Sequence, residues 1–364
     1  IQPMEKYRVG IVGATGMVGQ RFISLLKDHP WFEVNCVAAS ARSAGKTYRE
    51  AVGERWAFAW EIPEKVAGMT VVDAADIDEV SKHVDFVFCA VDMKKDEIRA
   101  LEEAYAKHEI PVVSNNSACR GIEDVPMVVP EINADHLAVI EAQKKRLGTK
   151  NGFIAVKPNC SIQSYVPALT PLLDFEPEKV SVCTYQAISG AGKTFKTWPE
   201  MVDNVIPYIG GEDEKSENEP LKLWGHVEDG KIVNAALPVI SAQCLRVACS
   251  DGHMAAVSVS FKKKPTIEQI KERWANYETE AQRLELPSAP KPFLQYFEDP
   301  SRPQTRLDRD FQNGFGVSIG RLREDKLFDY RFVCLSHNTV RGAAGGGILT
   351  AELLCRKGYI PHRV

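Results

Sequence analysis

Tyr7-Arg8-Val9-Gly10-Ile11-Val12-Gly13-Ala14-Thr15-Gly16-Met17-Val18-Gly19 is the stretch on which the fold turns. Tyr7 to Val12 is a short β-rich run, and a helical stretch, Gln20 to Lys27, follows the glycines. Gly13, Gly16 and Gly19 form GxxGxxG between strand and helix. Glycines at such a junction allow a tight turn and let backbone approach a phosphate, while the helix start offers free N–H groups and its dipole. The trio departs from GxGxxG and has a second reading as a plain tight turn. Its strand–turn–helix setting points to a nucleotide, cradled by Gly13, Thr15, Gly16, Met17 and Val18.

Working outward, β-type runs recur at Val34–Ala39, Thr70–Val72, Asp85–Val91, Pro111–Ser114 and Gly152–Val156. A polar amphipathic helix, about Lys94 to His108, lies between two of them. Strands alternating with helices predict a parallel, doubly wound, Rossmann-like sheet. Phe86-Val87-Phe88-Cys89-Ala90-Val91 is apolar throughout, as a strand buried on both faces requires. From about Val180 the pattern changes to alternating runs: Val180–Ile188, Ile232–Leu237, Met254–Phe261, Gly316–Ile319 and Tyr330–Leu335. Apart from about Ile267 to Leu284, few helices intervene. This predicts an α+β domain with a largely antiparallel sheet. The acidic stretch Glu212 to Glu219 reads as a solvated loop or helix start. Lys262-Lys263-Lys264-Pro265 reads as the polar end of a strand and a turn. The glycine-opened helix Asn338 to Gly358 is expected to return to the first domain. The predicted division is 4–157 for the nucleotide domain, 158–337 for the α+β domain, and 338–364 for the returning helix.

The bulk numbers agree with two globular domains. The chain has 364 residues, 44% hydrophobic and 26% charged, beyond the roughly 250–300 residues at which one core stops growing. A net charge of −4 gives no basic footprint for nucleic acid. No apolar run reaches the roughly 18 residues a membrane helix needs. The N-terminus lacks the form of a secretory signal, and Ile1 to Pro3, ahead of Met4, read as a cloning remnant. Nine scattered cysteines without a CxxC pair argue against a disulfide framework or a zinc site. Reduced thiols in a cytoplasmic protein, with no metal, are the expectation.

The second strand ends Ala39-Ser40-Ala41-Arg42-Ser43-Ala44-Gly45-Lys46, without the acid that bonds the NAD ribose. Ser40, Arg42 and Ser43, with Lys46 nearby, suit a 2′-phosphate, since a guanidinium binds one bidentately. NADP is therefore preferred over NAD. The other reading is a solvated basic loop.

Cys160 stands apart from the other cysteines. Lys157-Pro158-Asn159-Cys160-Ser161 joins the Gly152–Val156 strand to a helix expected over Ser161–Leu173. A helix start would lower the thiol pKa; the alternative is a structural cysteine. A thiolate needs a proton partner, and eight histidines compete. His108 and His136 read as surface residues. His253 follows the turn Arg246-Val247-Ala248-Cys249-Ser250-Asp251-Gly252, and Arg246 frames its other side. Such a pair can bind a carboxylate and move a proton.

Taken together, GATGMVGQRF (Gly13–Phe22), ASARSAGK (Ala39–Lys46), SNNSACR (Ser114–Arg120), VPEIN (Val129–Asn133), PNCS (Pro158–Ser161), YQAISGAGK (Tyr185–Lys193), RVACSDGH (Arg246–His253) and HNTVRGAAGGGILTAELL (His337–Leu354) appear in order. On these motifs the chain resembles the aspartate-β-semialdehyde dehydrogenase family, in its longer archaeal and fungal-like form, from Tyr7 to Gly358. The resemblance implies NADPH-dependent reduction of L-aspartyl-4-phosphate to L-aspartate-4-semialdehyde, towards lysine, methionine and threonine, in a homodimer or homotetramer. It implies Cys160 as nucleophile, His253 as general acid/base and Gln186 as the group orienting the intermediate. Arg246 would bind the α-carboxylate and Glu219 the α-amino group. Lys222 and Arg120 would hold the phosphate. Asn116, Ser189, Gly190 and Asn338 would line the cofactor or phosphate site. Related chemistry belongs to malonyl-CoA reductases and N-acetyl-γ-glutamyl-phosphate reductases, which the Arg246–His253 turn and the Glu219–Lys222 pair disfavour. A non-catalytic NADP-binding sensor is the rival of another class.

Overall fold

The computed structural model describes residues 5–364; Ile1 to Met4, including the expected remnant and domain start, lie outside the described residues. The first sheet consists of β1 (Tyr7–Val12), β2 (Phe32–Ala39), β3 (Val72–Asp73), β4 (Phe86–Cys89), β5 (Val112–Ser114) and β6 (Ile154–Val156). Their spatial order is β3-β2-β1-β4-β5-β6, every neighbour parallel. The strand order reverses between β1 and β4. In such sheets ligands bind in the crevice beyond the strand C-termini at that switch. The glycine turn leaves β1 at this point, and Asn116 follows β5 beside it.

The first helix begins earlier than expected, at Met17 rather than Gln20, with Gly16 as its N-cap. Gly19 therefore lies inside the helix. A Cβ there would sit 2.2 Å from the Gly13 carbonyl oxygen, so glycine is what lets the helix close on the turn.

The second sheet is mixed, in order β13-β14-β15-β12-β7-β11-β8. Its strands are β7 (Pro177–Gln186), β8 (Val205–Ile206), β11 (Val239–Val247), β12 (His253–Phe261), β13 (Leu294–Phe297), β14 (Val317–Glu324) and β15 (Tyr330–Ser336). Between them in the chain, β9 (His226–Glu228) and β10 (Lys231–Val233) form a separate hairpin. Pairing is antiparallel except for β7 with β11 and β13 with β14. Side chains alternate along a strand, so one face buries Val180, Val182, Ile240, Ala242, Val257 and Val259. The opposite face leaves Ser181, Val239, Ser241 and Gln243 exposed.

Two expected helices are broken. Ile267–Leu284 divides into Ile267–Ala275 and Glu280–Arg283, because Thr266-x-x-Gln269 and Thr279-x-x-Gln282 each close a capping box and start a helix. Ser161–Leu173 divides into a 3₁₀ turn, Cys160–Gln163, a helix, Tyr165–Leu169, and a second 3₁₀ turn, Thr170–Phe175. The acidic stretch is a helix, Glu212–Leu223, and only its outer side is solvated: Glu212, Ser216 and Lys222 are buried. The final helix, Gly345–Arg356, returns to the first sheet, packing Ile348, Leu349 and Leu353 in one core with Val9, Phe22, Phe86 and Phe88. A π-turn, Val340–Ala344, precedes it.

Candidate active site

The glycine turn fits a phosphate. Gly13 has φ +92°, and its missing Cβ would meet the Ala90 carbonyl oxygen at 2.1 Å, so glycine is obligatory there. Gly16 has nothing within 4 Å of its Cβ position, which leaves open space over the first N–H groups of the helix. Ser40 and Arg42 are exposed at the end of β2, and Ser43 is buried. Arg42 makes no ion pair among the described residues. From the turn, a cavity of about 200 Å³ runs between Met17, Arg21 and Phe58 on one side and Ser189, Asp251 and Thr339 on the other.

The cysteine sits on a turn that its neighbours hold. Asn159 caps it: Oδ1 accepts from Ser161 N–H at 2.8 Å and from Ser161 Oγ at 2.6 Å. Asn159 N–H donates to Glu219 Oε1 at 2.7 Å, and its amide nitrogen to Glu212 Oε2 at 2.5 Å. Glu219 in turn meets Arg120 Nη1 at 3.3 Å. Arg120 also donates to the carbonyls of Lys157 (2.9 Å) and Asn115 (3.0 Å). A carboxylate and a guanidinium thus stand side by side next to Cys160, lining an open crevice with Ser117 and Asn234.

Three strand ends supply the opposite wall. Gln186 ends β7, Arg246 lies near the end of β11 in register with it, and His253 opens the antiparallel β12. All three fall on the buried face because the alternation places them there. His253 Nε2 lies 3.4 Å from Cys160 Sγ. Its Nδ1 accepts the Ala187 N–H at 3.0 Å, which leaves the ring proton of the neutral imidazole on Nε2, facing sulfur. Arg246 Nη1 donates to Ala187 O at 2.7 Å. Gly190 lies over both: a Cβ there would be 2.8 Å from Arg246 Nη1 and 3.1 Å from His253 Nε2. Gln186 is wholly buried, and its Oε1 has no hydrogen-bond partner.

Burial dominates the electrostatics. It pushes the Cys160 thiol up, helped by Glu212 and opposed by Lys157, Arg246 and Arg120. The expected helix-start depression is absent because a four-residue 3₁₀ turn replaces the helix. Burial, then Arg246, holds His253 down to about 3, so the imidazole is neutral.

Several expected roles change on this geometry. Lys222 gives all its protons to the carbonyls of Arg120 (2.7 Å), Ile122 (2.8 Å) and Val125 (2.7 Å), leaving none for a phosphate. It holds the Arg120 turn instead. Asn116 spends its amide on Val91, donating to its carbonyl at 2.8 Å and accepting its N–H at 3.3 Å. Asn338 bonds Gly252 N–H (2.7 Å) and Ser189 Oγ (2.9 Å), so it braces the cavity wall rather than offering a free amide. Gly190 belongs to the catalytic wall. His136, expected at the surface, is buried, bonded to Asn133 and to the Gly225 carbonyl. Glu212, Asn159 and Lys157 are the site residues that sequence reasoning passed over. Lys157 had one signal, its place directly before Pro-Asn-Cys; Glu212 had none.

Two family models match the chain: "Semialdehyde dehydrogenase, NAD binding domain" over residues 8–140 and "Semialdehyde dehydrogenase, dimerisation domain" over 169–341. The aspartate-semialdehyde dehydrogenase of Schizosaccharomyces pombe is 45% identical, over 97% of this chain and 99% of its own. That of Archaeoglobus fulgidus is 43% identical, over 98% and 100%. Among solved structures, the aspartate semialdehyde dehydrogenase of Candida albicans with NADP superposes with a TM-score of 0.88 at 38% identity, over 98% of this chain and 100% of that one. The fold is that of a semialdehyde dehydrogenase. Within that class, the chain belongs to the aspartate-semialdehyde dehydrogenase family.

Proposed function

We propose that the protein reduces L-aspartyl-4-phosphate to L-aspartate-4-semialdehyde and phosphate, with NADPH, through a thioester on Cys160. One observation carries this reading: Cys160 Sγ stands 3.4 Å from His253 Nε2, between the Arg120–Glu219 pair and Arg246. A zwitterionic amino acid bearing a phosphate needs both signs of charge around one nucleophile.

The Cys160 thiolate attacks the acyl carbon, forming a C–S bond; the C–O bond to phosphorus breaks and phosphate leaves with its electron pair. His253 keeps its Nε2 proton and hydrogen-bonds through it first to the thiolate and then to the oxyanion that forms beside it, a role typically worth about 10²–10³-fold. Gln186 carries a buried acceptor without a protein partner, the state of a group that bound substrate satisfies. Arg246 takes the α-carboxylate, Glu219 the α-ammonium and Arg120 the phosphate. Gly13, Thr15, Gly16, Met17 and Val18, with Ser40, Arg42 and Ser43 at the 2′-phosphate, would hold NADPH, which would supply a hydride to the thioester carbonyl carbon; as the carbonyl re-forms, the C–S bond breaks, releasing the aldehyde and returning the Cys160 thiolate. Ser189, braced by Asn338, lines the cofactor's path.

We place the nucleotide domain at 4–157, the catalytic and dimerisation domain at 158–337 and the returning helix at 338–364. The exposed face of the second sheet, with Val239 65% accessible, suits pairing with a second copy, a dimer or a tetramer built from dimers. Unpaired cysteines suit the cytoplasm.

The test is phosphate-dependent reduction of NADP⁺ by aspartate semialdehyde. Malonate semialdehyde with CoA and N-acetylglutamate semialdehyde with phosphate serve as comparisons. Turnover with the first pair alone is expected. A pure protein that binds NADPH but does not turn over that aldehyde ends the proposal.

A further inference from the structure

Lys157 is a buried ionisable group beside the nucleophile that this mechanism leaves unused. It follows β6 directly and is 3% exposed. Its Nζ donates to two carbonyls, that of Pro158 in the nucleophile turn and that of Gly342 in the π-turn. Among the described residues no salt bridge neutralises it, so an ammonium is held on backbone oxygens within the electrostatic reach of Cys160.

The surrounding chain makes room for this contact. A Cβ at Gly342 would lie 3.0 Å from Cys160 Cβ, so the π-turn packs on the nucleophile itself. A Cβ at Gly346 would lie 3.1 Å from Lys157 Cδ and 2.5 Å from the Arg341 carbonyl oxygen. The glycines that open the final helix therefore let the lysine pass beneath it. Arg341 anchors the same π-turn through a buried pair with Glu131, Nη1 to Oε1 at 2.8 Å, and through Nε to the Phe315 carbonyl at 2.8 Å. π-Turns recur at functional sites.

We infer that Lys157 is a positioning residue for Cys160: it clamps the nucleophile turn to the π-turn and, when protonated, supplies positive charge that favours the thiolate. The inference rests on Cys160 being the nucleophile. The charged groups facing that thiol are Lys157 on its own segment, Arg120 after β5, Glu212 and Glu219 on the helix Glu212–Leu223 and Arg246 on β11, with the neutral, titratable His253 on β12. A single cation close to a thiol lowers its pKa by about one unit or more. Burial holds Lys157 itself down to about 7, so its charge is strongest at and below neutrality.

The experiment measures the pH dependence of Cys160 alkylation by iodoacetamide, with turnover and NADPH binding. It uses the full-length wild-type enzyme, K157Q, K157M and the control C160A. K157Q keeps N–H donors for the two carbonyls and lacks the charge; K157M lacks both. Both are expected to bind NADPH. In K157Q the alkylation midpoint should move to higher pH, with a roughly tenfold slower rate at neutral pH. That rate should converge with wild type in alkali. K157M should shift at least as far and lose more kcat. An unmoved midpoint in K157Q overturns the inference, because a purely structural clamp would alter rates without altering the profile. Loss of NADPH binding in both variants overturns it as well, since the role claimed is local to the thiol. Turnover retained in C160A would instead defeat the nucleophile reading, whatever Lys157 does.

Discussion

Arg246 shows what one residue contributes and why its chemistry is hard to replace. Nη1 is committed to the Ala187 carbonyl at 2.7 Å, and Ala187 N–H is committed to His253 Nδ1. One guanidinium therefore braces the turn that orients the imidazole and keeps further donors for a carboxylate. An ammonium lacks the planar fork to do both. Arg246→Lys should raise KM for aspartate semialdehyde roughly tenfold or more, the worth of one charge-assisted hydrogen bond. KM for NADP⁺ should stay near its wild-type value. Steady-state kinetics with each substrate varied would decide, and an unchanged aldehyde KM removes Arg246 from the substrate site.

Among the elements, the π-turn and the final helix do more than return the chain to the first domain. The turn presses Gly342 against Cys160 and offers its carbonyl to Lys157. In Gly342→Ala the new methyl, 3.0 Å from Cys160 Cβ, forces that turn to give by a few tenths of an ångström. Displacements near a nucleophile are costly, with about 10²-fold per ångström as a guide. We expect kcat to fall roughly tenfold while NADPH affinity, set at the glycine turn, is kept. Equal losses in both would mean that the substitution disturbs the fold rather than the nucleophile. The helix Glu212–Leu223 teaches a related lesson. Its acidic sequence reads as solvated, yet Glu212 and Glu219 reach inward to the Asn159 turn while their neighbours on the other side face water.

The whole molecule carries its own pH signature. Burial holds His253 at about 3 and His337 at about 4, and it lowers His136 as well, from 6.5. Below 6.5 the unfolded chain binds protons at these sites that the folded chain refuses, so folding stability falls as pH drops from 6.5 towards those values. For His253 alone the loss reaches about 2 kcal/mol at pH 5. Glu102, raised by burial from 4.5 to about 7, works the opposite way across the same range. Three histidines outweigh one carboxyl. Urea unfolding should show a lower midpoint at pH 5 than at pH 7, and a flat or rising midpoint would contradict the buried neutral imidazoles.

Local pattern determined much of this protein. The period-2 alternation, the all-apolar β4 and the GxxGxxG junction are properties of neighbouring residues, and they predict the two sheets and a nucleotide at the glycine turn. Ordered motifs also marked Cys160, His253, Arg246, Arg120 and Glu219 before any coordinates. Tertiary structure decided how those side chains are spent. Lys222 carries the right chemistry for a ligand, but its three N–H groups are consumed by backbone carbonyls of a distant segment, while Asn116 and Asn338 each spend the amide oxygen and one N–H on partners elsewhere in the chain. His136 is buried for the same kind of reason. Glu212, Lys157 and Gly342 join the site through contacts across 53 residues for Asn159 to Glu212 and 185 for Lys157 to Gly342. A hydrogen bond depends on positions in space, and sequence separation does not encode those until the sheets have packed.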